Sequence, residues 1–472
     1  MTERVQRLRQ ASLDARPWVS LERARLMTEF YRQAGPLSPP MLRASALQYI
    51  YEHRTIYIGA EELIVGERGP SPKGTPTYPE LCCHTLADFE ILHTREKISY
   101  CVSEEARRIQ AEEIIPYWSG HSMRDRMFAE MTPEWKNAYE AGVFTEFMEQ
   151  RAPGHTVLGD VIYRKGLLDL QQEVAGAIAR LDFLNDPQAY DKEQQLRAMS
   201  LAAAATIHFA ERHAEKAEEM AAAESDPRRR AELERIAEVC RWVPAHAPRD
   251  FWEALQSYWF THLTVITELN TWDSFNPGHL DQNVYPFYQR DLDDGRLTRE
   301  EARELLQCFW VKFNNQPAPP KVGVTAAESG TYTDFCNINT GGLKPDGSSG
   351  VNDLSYLVLE VIDEMRLLQP SSNLQLSRKS PDRFASKQQV AHMYINAAQT
   401  SQRQIVAARQ FQDQDLPQFL VRACKHNFAI PRRNCFGLSG DLEPKSCWSC
   451  GAWCHSGSRG IARDRLPGYG WV

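Results

Sequence analysis

At 472 residues the chain is longer than one ordinary hydrophobic core organises, which implies two or three domains or one large barrel, and 42% hydrophobic with 25% charged residues excludes disorder over most of it. The formal charge of −8 argues against a nucleic-acid-binding role, because displacing counterions needs a basic face. No run of eighteen apolar residues marks a membrane span, and MTERVQRLRQ lacks an apolar signal region, so a cytoplasmic location is expected.

The first 315 residues read as mostly helical. Ser20 stands before LERARLMTEFY as an N-cap candidate, with Leu21, Ala24, Met27 and Phe30 at helical spacing. Ser103 precedes EEARRIQAEEIIPYW in the same way, and Thr132 with Pro133 opens another helix. Residues 191–223 are rich in strong helix formers. Asp250 with Glu253, and Thr298 with Glu301, have capping-box spacing. Four short stretches are predicted as strands: 62–67 (ELIVGE), 320–325 (PKVGVT), 334–342 (DFCNINTGG) and 372–378 (SNLQLSR). Strands interleaved with long helices imply an α/β arrangement in which the strands line a buried site.

After Phe384 the texture changes. Residues 386–418 are dense in glutamine with apolar positions that fit a helical period poorly, and the chain then mixes Cys, Trp, Gly and Arg without either period. Five of the eleven cysteines, from Cys424 to Cys454, fall in the last fifty residues. Cys447, Cys450, Cys454 and His455 imitate a zinc-ligand set but lack a paired second half, so no metal is expected. The expected division is an incomplete domain at 1–384 and a divergent, frameshifted or disordered tail at 385–472.

Four segments concentrate residues that suit neither plain helices nor plain strands. Phe147 and His155 lie in FTEFMEQRAPGHT, where a lone histidine reads first as a structural hydrogen-bonding group and a lone phenylalanine as core. Asp273 lies in ELNTWDSFNPGHLDQ, a break mixing aromatics with acids, where it suits either a turn or a bound amine or hydroxyl. FNNQPAPPKVGVT reads as architecture before chemistry. Ser329, Asp334 and Phe335 lie in ESGTYTDFCNINTGG, which has too many small polar residues for an ordinary buried strand.

Together with GERGPSPKGTPTYPELCCHT and LLQPSSNLQLSRKSP, these segments resemble the glycyl radical enzymes of the pyruvate formate-lyase superfamily, and most closely the branch that dehydrates trans-4-hydroxy-L-proline. The resemblance runs from about Glu3 to Phe384. It implies a ten-stranded α/β barrel wrapped by helices, of which this chain holds the N-terminal part followed by an irregular tail. It further implies a glycyl radical lyase that removes water from hydroxyproline to give pyrroline-5-carboxylate, with no bound cofactor in this chain. The radical would be installed by a radical S-adenosylmethionine iron–sulfur activase, and the full-length enzyme would be a homodimer in anaerobic metabolism. Residue by residue, Phe147 and Phe335 match the aromatic pocket walls, Asp273, Ser329 and Asp334 the polar contacts, and His155 the pocket histidine.

Neither catalytic motif of that branch occurs here. The Gly-Cys-Val-Glu loop would fall near residues 427–432, which read Asn-Phe-Ala-Ile-Pro-Arg, and Gly468, in Arg-Leu-Pro-Gly-Tyr, only imitates the radical-glycine pattern. No catalytic residue is therefore assigned, and the isolated chain is expected to be inactive. A shifted reading frame or a split gene accounts for both losses. The alternatives are an inactive fragment or split-enzyme subunit, or another lyase of the superfamily, of diol dehydratase or formate acetyltransferase type.

Overall fold

The computed structural model describes residues 1–96, 98–143, 158–269, 276–328 and 336–384, with the backbone of 405–407. Helices dominate the described residues, and the strands are short and parallel. β1 (Trp18–Ser20) pairs with β2 (Gly74–Pro76), and β3 (Gly278–His279), β4 (Asn337–Gly341), β5 (Ser371–Leu376) and β6 (Ile405–Ala407) form a second sheet in that order. Parallel neighbours need crossovers, and the Asp353–Met365 helix makes the one from β4 to β5. The helix-rich α/β character expected from the sequence is what the described residues show. β6 falls in the glutamine-dense stretch; the other residues beyond Phe384 lie outside the described residues.

Two helices form the centre. Phe251–Glu268 is buried on nearly every side, and the Arg299–Asn314 helix packs Phe309 and Phe313 against its Trp259, with Trp259 and Phe313 edge to face at 5.1 Å. Asp250 starts the first by accepting from Glu253 N at 2.9 Å, although Glu253 turns back to Arg249 N rather than closing a full box. The second has the complete box: Thr298 Oγ1 accepts from Glu301 N, and Glu301 accepts from Thr298 N at 2.8 Å. Thr298→Ala should therefore cost about 1 kcal/mol, read from urea denaturation with an unchanged m-value.

Three local expectations are corrected. Ser20 ends β1 and does not cap the helix that follows, Glu22–Gln33, whose N-cap is Leu21 without a side-chain bond. Residues 62–67 are not a strand, because side chains on one face of the central helix take up their backbone groups. Trp252 Nε1 donates to Leu63 O, Gln256 exchanges two 2.9 Å bonds with Val65, and Trp259 Nε1 donates to Gly66 O. Gly66 is required there: at φ 107° a Cβ would sit 2.7 Å from Leu263 Cδ1. Residues 320–325 run into a helix, Gly323–Glu328, whose first amides are met by distant side chains: Asp88 accepts from Gly323 N at 2.8 Å and Tyr139 Oη from Val324 N at 2.9 Å. No local sequence signal marks such a start.

Candidate functional site

The six sequence-predicted pocket residues fall in three segments: Phe147 and His155 in 144–157, Asp273 in 270–275, and Ser329, Asp334 and Phe335 in 329–335. All six lie outside the described residues. What the structure does place is the frame from which these segments depart and to which they return.

That frame ties the segment ends to each other. Before 144–157, the Pro133–Glu140 helix presents Tyr139 to Val324 of the helix that leads into 329–335. After 270–275 and 329–335, Asn276 Oδ1 accepts from Asn337 N at 2.5 Å, and β3 and β4 pair immediately beyond. Asp281 then clamps the strands. Its Oδ2 accepts from Gly341 N at 2.7 Å and from the Ser355 hydroxyl, while Asn352 Nδ2 donates to its carbonyl at 2.9 Å. Oδ1 is buried without a partner among the described residues, and burial pushes the carboxyl up to about 7.

A buried ionic triad joins residues 62–67 to the Arg299–Asn314 helix. Lys312 Nζ lies 2.6 Å from Glu62 Oε1 and 2.9 Å from Glu67 Oε1, and Asn315 and Gln316 also donate to Glu67. Burial pushes the Glu67 carboxyl up against the pull of Lys312; burial also opposes the Lys312 charge, but the two carboxylates outweigh it and keep the lysine cationic. The Asn-Asn-Gln cluster thus fixes the direction of 316–321, where Arg68 bonds Pro317 O, Tyr100 Oη donates to Ala318 O at 2.5 Å and His84 Nε2 meets Pro320 O at 3.1 Å. His213 and His262 are buried and pushed down to about 3, so both are neutral imidazoles. Among the described residues no cluster of His, Cys, Asp or Glu has metal-holding geometry.

Sequence reasoning missed Glu62, Glu67 and Lys312, whose partners lie some 250 residues apart. It also missed Asp281, although PGHLDQ had been singled out as a break. It read β4 and β5 as strands without drawing out their alternation: Ser371, Asn373 and Gln375 share one face, and Ser372, Leu374 and Leu376 the other.

The parallel sheet, its crossover helix and the buried helical centre make an α/β scaffold, and the sequence profile of the pyruvate formate lyase-like family matches residues 1–412. The chain belongs to that family. It is 55% identical over 386 residues to the trans-4-hydroxy-L-proline dehydratase of Clostridioides difficile, covering 82% of this chain and 49% of that protein. Its fold superposes on the hydroxyproline dehydratase of Clostridioides difficile with trans-4-hydroxy-L-proline bound at a TM-score of 0.80 and 54% identity, over 84% of this chain and 50% of that one. The glycerol-bound glycerol dehydratase of Clostridium butyricum matches at a TM-score of 0.78 and 27% identity, over 90% of this chain and 52% of that one. The chain therefore spans about half the length of the curated relatives it matches. No described helix is long and apolar enough to cross a membrane.

Proposed function

We propose that this chain is the substrate-side portion of a glycyl radical dehydratase acting on trans-4-hydroxy-L-proline. The observation that carries the reading is the 55% identity to a dehydratase of that substrate, sustained over 386 residues. In this reading Phe147 and Phe335 wall the ring, and Asp273, Ser329 and Asp334 meet its ammonium, hydroxyl or carboxylate. His155 completes the polar set, since such a substrate needs hydrogen-bonding groups at both ends and apolar walls between. The radical that abstracts the substrate hydrogen belongs to motifs that do not occur in these 472 residues, so turnover needs a complementary C-terminal portion. A radical S-adenosylmethionine activase, a homodimer and a cytoplasmic role in anaerobic metabolism complete the reading.

The test joins residues 1–384 of this chain to the C-terminal half of the Clostridioides difficile dehydratase. After anaerobic activation, trans-4-hydroxy-L-proline should be turned over, and glycerol and isethionate should not. Turnover of glycerol or isethionate in preference would overturn the substrate. A full glycyl radical signal by electron paramagnetic resonance, with no turnover of any of the three, would overturn the dehydratase reading.

A further inference from the structure

Parallel sheets are normally apolar on both faces. The sheet of β3, β4 and β5 is not. Ile338, Leu374 and Leu376 are fully buried in the main core, so the residues alternating with them face the other way. The register sets Asn337 beside Ser371, and Asn339 beside both Asn373 and His279. On that face Asn373 Nδ2 donates to Asn339 Oδ1 at 3.0 Å.

This strip carries unsatisfied hydrogen-bonding capacity. Asn373 is 7% exposed and Ser371 1% exposed. Yet Asn373 Oδ1, Ser371 Oγ and Asn337 Oδ1 are buried without a partner among the described residues. Leaving such atoms unpaired is unfavourable, and the run of three on this face, beside Thr340 Oγ1 and Ser372 Oγ on the core-facing side, marks a place where something else supplies the hydrogen bonds. Two of the three are amide oxygens, which accept only, and the third is a hydroxyl, so the complement is a donor. The strip begins at Asn337, two residues after Phe335, and is bonded there to Asn276, three residues after Asp273. At the far end Gly342 lets the Gln375 and His279 side chains pack close: a Cβ there would lie 2.6 Å from Gln375 Oε1 and 3.4 Å from His279 Cε1.

We propose that the Asn337–Asn339–Ser371–Asn373 face is a substrate-binding wall that accepts a hydrogen bond from the hydroxyl of a small hydroxylated molecule. This rests on the function proposed above and adds specificity-determining residues to it. The dehydratases of hydroxyproline and of glycerol, which share this scaffold, are both seen with hydroxylated molecules bound that have otherwise little in common. A wall reading the shared hydroxyl, with other groups reading the remainder, suits both.

The test is calorimetric titration of the 472-residue chain with trans-4-hydroxy-L-proline and with L-proline, which lacks the hydroxyl. Hydroxyproline should bind at least ten times more tightly than proline, and Asn373→Leu should abolish that preference. Should Asn373→Leu fail to fold, judged by circular dichroism, Ser371→Ala is the second variant. It removes one unpaired hydroxyl at nearly constant volume, and the preference should fall severalfold. If the folded variants retain the full preference, the wall is overturned and the proposed function stands. If the unaltered chain binds neither amino acid, the wall is overturned, and the proposed function is decided by turnover in the joined enzyme.

Discussion

Replacing Lys312 with methionine should destabilise the protein by about 3–5 kcal/mol, a large part of the roughly 5–15 kcal/mol that holds a typical domain folded. The lysine is 1% exposed and pairs with both Glu62 and Glu67, which are themselves 5% and 3% exposed. Methionine keeps most of the volume and none of the charge. Two carboxylates are then left together in low dielectric, with the Asn315 and Gln316 amides on Glu67 and the Gly59 N–H on Glu62 to offset them. The loss should shrink as pH is lowered, because protonation removes the buried charge. Combining Lys312→Met with Glu62→Leu and Glu67→Leu should recover most of it, since well-packed apolar replacements of buried ion pairs are often neutral. Urea denaturation of the three proteins reads all of this. A Lys312→Met protein within about 1 kcal/mol of the parent would mean that the triad is solvated, contrary to its burial.

Asp281→Asn should change how stability depends on pH. Folding raises this carboxyl from the ordinary range to about 7, chiefly by burial, so the fold favours the protonated form. The sign follows from linkage. The favourable contribution of the protonated group is complete below about pH 4 and is lost as pH rises through about 7. A shift of about three units corresponds to about 4 kcal/mol. Asparagine stays neutral and can still accept from Gly341 N and Ser355 Oγ. The stability of the variant relative to the parent should therefore climb by about 4 kcal/mol between pH 4 and pH 8. Parallel stability curves across that range would show that Asp281 is ionised at little cost in the fold.

Much of the scaffold was legible because its signals are local. Ser103, Thr132 and Thr298 cap the helices they were expected to cap, and 191–223 is a helix extending from Ala189 to Ala223. What was not legible depends on partners far along the chain. ELIVGE has strand composition, but Trp252, Gln256 and Trp259 hold its backbone groups. PKVGVT has strand composition too, but Asp88 and Tyr139 start a helix within it. Asp281 reads as an ordinary loop acid until Gly341 and Ser355, 60 and 74 residues on, are seen against it. The polar face of β5 was available in the sequence, since Ser371, Asn373 and Gln375 alternate with Leu374 and Leu376; its meaning needed the register with Asn337 and Asn339. The six pocket residues rest on the family resemblance, and the structure contributes the anchored ends of the segments that hold them.

Under the proposed function, residues 1–384 encode the substrate-reading half of a hydroxyproline dehydratase. The most direct measurement is kcat/KM of the joined enzyme for trans-4-hydroxy-L-proline relative to glycerol, after activation to a full glycyl radical signal. A site built to hydrogen-bond one substrate should favour hydroxyproline by a factor on the order of 10⁴. A ratio near or below one, with the radical present, would contradict it.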